Sequence, residues 1–321
     1  MIGRILIKAL FYPATSRKYT SNYDLAICYY NALKNNVNLD VTFFETSVVL
    51  QTGNDFDIII CFGSLMDINF DYYFLRNIQN DCSATLVWWL HDDPYELESN
   101  FRFVNNSDII ITNDETSELF YRPDVQTFFL PMAACEECYY KSLSSSLLFR
   151  FNFIGNAHPE RMNFVNKLLS VRPQVLHQFD LIGTNWPDSL SNIKLKTSQE
   201  FSSSIYNRYL GSIDFQRSFF LTKNEFGLEA SSPGPRPFQI ALSGGTVIHV
   251  SNIDLLANYL PKDSYHHVTC ESELIELFNE LTIKIDINEV LNKREMAQKA
   301  VLANHTIRNR VLSFVEFLSR S

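Results

Sequence analysis

Glycine is scarce in this chain, 10 in 321 residues, and none of them forms a G-x-G-x-x-G loop or a P-loop. The usual phosphate cradles of nicotinamide enzymes and NTPases are therefore missing. H-E-x-x-H and G-x-S-x-G are also absent, so zincin and α/β-hydrolase chemistry lose their support. No Asp-x-Asp stands at a suitable strand end, since Asp92 and Asp93 are adjacent, and a divalent metal is not demanded. Cysteine is sparse too. The six residues Cys28, Cys61, Cys82, Cys135, Cys138 and Cys270 form no disulfide framework, and several sit in apolar runs, as reduced buried thiols do. Cys135 and Cys138 make a lone CxxC with no second Cys/His pair at zinc-site spacing. No apolar run is long enough to cross a bilayer, and Met1–Leu10, interrupted by Arg4 and Lys8, is too short for a secretory core. The expectation is a soluble, cytoplasmic protein, with peripheral membrane association still open. Basic residues are outnumbered, 27 Lys and Arg against 36 Asp and Glu, giving a net charge of −9. That balance argues against a nucleic-acid partner, because phosphate-backbone affinity needs accumulated cations.

What the chain does have is apolar and aromatic mass: 46% hydrophobic residues and 14% aromatics, among them 26 Phe and 15 Tyr. Most of these belong to cores, and some tyrosines suit a groove for sugar rings. The length favours two domains of ordinary size. Short apolar runs at Arg4–Leu10, Asp40–Glu45, Asp57–Phe62, Ala84–Leu90, Asp108–Thr112 and Thr127–Leu130 read as buried parallel strands. Crossover helices are expected at Asn22–Lys34 and Phe70–Ile78, and another at Glu115–Tyr121 with Asp114 as its cap. After the polar, serine-rich Lys141–Ser146, a second α/β series begins. Its strands are expected at Phe151–Ile154, Phe179–Ile182, Ser218–Leu221, Thr246–His249 and His266–Thr269. Its helices are expected at Glu160–Ser170, Ser202–Tyr209, Ile253–Tyr259 and Glu271–Leu281, and Ile287–Leu318 closes the chain as helix. The fold class is α/β, with two Rossmann-like doubly wound domains facing a cleft. Residues 1–140 form the first domain and 141–300 the second, while 301–321 form a helix that can pack back on the first.

Ligands of such sheets bind beyond the carboxyl ends of the strands, so the polar loops there carry the candidate chemistry. One is Trp88-Trp89-Leu90-His91-Asp92-Asp93-Pro94. Here His91, beside Asp92 and Asp93, suits a general base, and the alternative is a turn with the aspartates capping a helix. Another is Phe153-Ile154-Gly155-Asn156 leading to Arg161 in the first turn of a helix. Arg161 either faces a diphosphate or pairs at the surface with Glu160 or Asp180. Trp186, in a third loop after Gly183, either stacks on a base or covers the core. Glu225 and Glu229 stand ahead of Pro235-Arg236-Pro237-Phe238-Gln239, which begins a helix ending in Gly244-Gly245. A helix start with an arginine suits an anion, and paired glycines allow close backbone approach. The plain alternatives are a solvated loop for the glutamates and an ordinary helix-to-strand connection with a surface arginine.

The order and spacing of these motifs resemble the CgeB-like (spore maturation protein) glycosyltransferases of the GT-B architecture. The resemblance runs from Trp89–Pro94 through Ser107–Thr112, Leu130–Ala133, Phe153–Asn156 with Arg161, and Arg236–Gln239 with Gly244-Gly245. It ends at His305-Thr306 leading to Arg310. It implies a metal-independent glycosyltransferase that moves a sugar from a nucleotide-diphosphate donor, a UDP-sugar first among them, and needs no further cofactor. The donor would sit on the second domain and a polysaccharide, lipid-linked or protein acceptor mainly on the first. His91 would lie near the transferred sugar, and Arg161 would touch the diphosphate. In the family a glutamate before the Gly-Gly turn binds the donor ribose; here that position is Gln239. The first glutamate of the family's E-x7-E pair falls at Ser231, with Glu229 close by. The donor-binding set is then Gly155, Asn156, Arg161, Glu229, Arg236, Gln239, Gly244 and Gly245, with His91, Asp92 and Asp93 as catalytic candidates. Two other functions fit the same pattern: a non-catalytic nucleotide-sugar-binding or scaffold protein, and a GT-B-like nucleotide-sugar epimerase.

Overall fold

The computed structural model describes residues 6–14, 20–44, 55–63, 72–101, 106–190, 198–217 and 223–320. Two compact units emerge from its contacts. The first comprises Met1–Met132, Phe220–Ser232 and Ile307–Ser321, and the second Ala133–Phe219 and Pro233–Thr306.

The first unit is built on six parallel strands among the described residues: β1 (Ile7–Pro13), β2 (Leu39–Phe43), β3 (Ile58–Phe62), β4 (Thr85–Trp89), β5 (Ile109–Thr112) and β6 (Gln126–Phe129). Their order is β2-β1-β3-β4-β5-β6. Helices α1 (Thr20–Lys34), α2 (Tyr72–Cys82), α3 (Leu97–Phe101) and α4 (Glu115–Tyr121) connect them. Every residue of β3 and β5 is buried, as both-face coverage of a parallel sheet requires. One face packs Leu10, Ile59, Leu86, Trp88, Ile110 and Tyr121. Phe11, Tyr29, Phe62 and Trp89 join in ring contacts of 4.6 to 6.0 Å, and this aromatic layer receives Phe314, 5.0 Å from Trp89. Helix α4 begins where Asp114, in extended backbone, accepts from Ser117 N at 3.0 Å, which leaves one fewer orphan amide. The same carboxylate accepts from Ser231 N at 2.7 Å and Ser232 N at 3.2 Å, fixing the late segment onto this unit.

The second unit carries β7 (Leu148–Ile154), β8 (Phe179–Ile182), β9 (Tyr209–Phe215), β10 (Val247–Val250) and β11 (Tyr265–Val268), all parallel, in the order β11-β10-β9-β7-β8. Between them stand α5 (Glu136–Tyr139), α6 (Pro159–Val171), α7 (Gln199–Arg208), α8 (Arg236–Leu242), α9 (Glu271–Ile283) and α10 (Ile287–Asn304). A last helix, α11 (Ile307–Leu318), belongs to the first unit and packs on α1. Buried Arg294 on α10 donates to Thr246 Oγ1 at 2.8 Å, to Asn207 O at 3.1 Å, and to the carbonyls of Tyr209 and Leu210. One guanidinium thus satisfies the backbone acceptors where α7 runs into β9.

Three expectations need correction. A strand begins at Tyr209, the residue expected to end a helix; the strand expected at Ser218–Leu221 lies outside the described residues. Ile253–Tyr259 is a chain of turns, not a helix. There Asp254 accepts from Leu256 N at 3.2 Å and Tyr265 Oη at 2.7 Å, a local side-chain bond that competes with helix formation. The long closing helix is two helices, broken at His305 and Thr306, where Ala134 N donates to His305 O. Arg4, Ile5, Glu45, Phe70 and Asp71, at the ends of other expected elements, also lie outside the described residues. No helix among the described residues is long and apolar enough to cross a membrane.

Candidate functional site

In the second unit β7 and β9 are neighbours although β8 intervenes in sequence, so the strand order reverses between them. Crevices for ligands form at the carboxyl ends of strands at such a reversal. There the Phe153 ring carries two guanidiniums: that of Arg236 lies 4.9 Å from its centroid and that of Arg161 5.2 Å. Attraction of each cation to the π-face helps offset the repulsion between them. Gly155 is required here, because a Cβ would stand 2.9 Å from Phe153 Cζ and 3.1 Å from Arg236 Nη2. Gly183, at φ +145°, is equally constrained: its Cβ would fall 2.3 Å from Gly155 O.

Arg161 donates through Nη1 to Asn156 O at 2.9 Å, and Asn156 Oδ1 accepts from Thr184 Oγ1 at 2.6 Å. The strand-end loop thus holds its own arginine. Burial and then the charge of Arg236 press Arg161 toward its neutral form, well below the ordinary arginine range. His158 is also pulled down, by burial and by the charges of Arg161, Arg217 and Arg236. Three arginines and a histidine therefore crowd one strand end, a surplus of positive charge that a bound anion would relieve. Asp214 on β9 is the buried counterweight. Its Oδ1 lies 3.7 Å from Arg236 Nη1, and its Oδ2 accepts from His249 Nδ1 at 2.9 Å. Buried Tyr206 feels the charge of Arg236 as well.

Trp186 belongs to the core: it is 2% exposed, edge-on to Phe153, and donates from Nε1 to Gly155 O at 2.9 Å. Gln239 is half-buried on α8. Gly244 and Gly245 follow the carboxyl end of α8 and precede β10. Gly244 has φ +71°, and a Cβ on Gly245 would lie 2.7 Å from Tyr206 O. Their constraint is the packing of α8 on α7 and α10, where Asn207 and Gln298 donate to Ser243 O (2.7 Å) and Leu242 O (2.8 Å). Glu229 is exposed and belongs to the first unit.

In the first unit, buried His91 follows β4 with its ring stacked 5.6 Å from Phe62, and its Nε2 lies 3.4 Å from Asp92 Oδ2. Neither ring nitrogen makes a hydrogen bond among the described residues. Asp93 has a different task. It is 1% exposed and accepts from Asn100 Nδ2 at 2.9 Å, Thr112 Oγ1 at 2.8 Å and Tyr121 Oη at 3.3 Å. Burial pushes its pKa up to about 7 despite these donors. Such a carboxylate ties three elements together.

Asp214, Arg217 and His158 were not among the residues expected from sequence. The polar Asp214 inside a strand-like stretch was the available sign, hidden by placing the strand at Ser218–Leu221.

No protein-family model matches the sequence, and no curated protein does. Solved structures match in fold. HepE of Anabaena in complex with UDP-glucose shares 13% identity at a TM-score of 0.59, covering 98% of this chain and 100% of that one. Sucrose-phosphate synthase from Thermosynechococcus elongatus shares 9% at 0.62, covering 98% of each chain. The β-glucosyltransferase of T4 phage shares 10% at 0.62, covering 98% of this chain and 99% of its own. What the chain shares with them is the GT-B architecture, two parallel-sheet Rossmann-like units in one polypeptide.

Proposed function

We propose that this protein is a nucleotide-sugar-dependent glycosyltransferase of the CgeB-like kind, using a UDP-sugar donor and no metal. The observation that carries the reading is the pair of guanidiniums, Arg161 and Arg236, stacked on Phe153 at the strand-order reversal of the second unit. Arginine forks match phosphate oxygens, and fixed cations stabilise the charge that develops on a departing diphosphate. Arg217 adds to that field. UDP or UDP-glucose accompanies HepE in its solved structures, which supports the choice of donor.

In this reading the acceptor, a hydroxyl of a polysaccharide, a lipid-linked sugar or a protein, belongs to the first unit. With inversion, His91 accepts the hydroxyl proton as the anomeric carbon–oxygen bond to the diphosphate breaks, and Asp92 at 3.4 Å stabilises the imidazolium. Asp93 holds the loop that presents them. The test is calorimetric titration of UDP into wild type and Arg236→Ala. A charged hydrogen bond contributes roughly 1.5–3 kcal/mol, so affinity should fall about 10- to 100-fold with the fold intact. Unchanged affinity would remove the donor site from this strand end.

A further inference from the structure

His249 stands in β10 between Ile248 and Val250, fully buried, at a place where a hydrocarbon side chain would fill the core without a polar penalty. Its Nδ1 lies 2.9 Å from Asp214 Oδ2, across the parallel pairing of β9 and β10. Its Nε2 has no hydrogen-bond partner among the described residues. His267, the next ring along the row at 5.8 Å, uses its own Nε2 on Ser251 O at 2.8 Å. A carboxylate only accepts, so His249 donates from Nδ1. Leaving the other ring nitrogen unsatisfied in the interior costs free energy. The bond to Asp214 is what this histidine supplies and a valine or leucine would not.

Asp214 divides its two oxygens. Oδ2 is held by His249, while Oδ1 lies 3.7 Å from Arg236 Nη1, an ion pair beyond hydrogen-bond distance. A buried carboxylate beside a guanidinium is drawn to close on it as a two-point fork, which takes up the N–H groups that would otherwise reach phosphate. The His249 bond opposes that closure by fixing one oxygen. Arg236 then keeps a counter-charge close by, and its fork stays over Phe153 at the strand end it shares with Arg161. We propose that His249 is a positioning residue for the donor site, acting through Asp214 to keep the Arg236 guanidinium available to a diphosphate. Enclosed in the sheet, its ring touches no ligand. This rests on the donor reading above and extends it to a residue outside the arginine cluster.

The experiment is calorimetric titration of UDP into the full-length protein and its His249→Leu, His249→Asn and Arg236→Ala variants, and into the variant carrying both His249→Leu and Arg236→Ala, with unfolding midpoints measured alongside. Asparagine offers an amide N–H where Nδ1 stands, and leucine offers none. His249→Leu should weaken UDP about 10-fold, and His249→Asn should recover most of that loss. Once Arg236 is alanine, His249→Leu should change the affinity no further. Unchanged affinity in His249→Leu, an equal loss with and without Arg236, or no recovery in His249→Asn would make His249 a packing residue alone and overturn the proposal. Where the leucine variant does not fold, His249→Gln takes its place: its amide reaches the position of Nε2 instead of Nδ1, so it should show the loss that His249→Asn avoids, and equal affinities of the two would overturn the proposal. UDP affinity that survives Arg236→Ala, or a wild type that does not bind UDP, would overturn the donor reading and this one with it.

Discussion

Asp93 is a carboxylate whose proton is stabilised by folding, and this has a consequence for pH. Its pKa rises from 3.8 to about 7 on burial, so between those values the folded state holds a proton that the unfolded state has released. The contribution is fully present below about 4 and is lost as pH climbs through about 7. Stability of the first unit should therefore fall over this window, by on the order of a few kcal/mol from this group alone. Asp93→Asn keeps acceptors and donors for Asn100, Thr112 and Tyr121 and removes the titration. Its thermal midpoint should vary less between pH 5 and pH 8 than that of wild type, and parallel pH profiles would show that Asp93 is ionised throughout. The arginines were visible in the sequence because each follows a strand-end loop where an isolated cation has little structural reason to sit. Asp214 was not visible, since nothing local reveals that His249, on the adjacent strand, stands opposite it.

At the scale of elements, the apolar runs of β3, β4 and β5 were readable because both-face burial leaves no polar positions. β9 was not, for a physical reason. Its Gly211, Ser212 and Asp214 break the apolar run, and their polar demands are met across the sheet by Asn152 and His249. The Gly244-Gly245 pair shows what a local reading leaves open. A helix has two ends, and the seven residues of α8 separate Arg236 from the glycines by about 10 Å at 1.5 Å per residue. Gly245→Ala must push against Tyr206 O and Ile240 O, both backbone, so it should cost about 1–3 kcal/mol in denaturant unfolding. UDP affinity of the folded variant should match wild type; a selective loss of affinity would return these glycines to the ligand. Helix α11 offers a separate check. Phe314→Ala removes a fully buried ring from beside Trp89 and should destabilise the first unit by about 3–5 kcal/mol. An unfolding curve superimposed on that of wild type would mean α11 does not close this core.

For the whole molecule, the division of labour follows from where charge is concentrated. A chain of net charge −9 gathers Arg161, Arg217 and Arg236 at one strand end of its second unit, against one buried aspartate. A nucleoside diphosphate fits that pattern, and the second phosphate is the part the cations should feel most. Competing functions separate on turnover: a glycosyltransferase consumes UDP-sugar when an acceptor is supplied, whereas a scaffold binds it and leaves it whole. The most direct measurement is thermal unfolding of wild type and the Arg161→Ala/Arg236→Ala double variant with UDP, UMP and neither. Wild type should be stabilised by UDP well beyond UMP, and the double variant should lose that difference while unfolding cooperatively on its own. Equal stabilisation by UDP and UMP in wild type, or a UDP shift that survives both substitutions, would contradict the account.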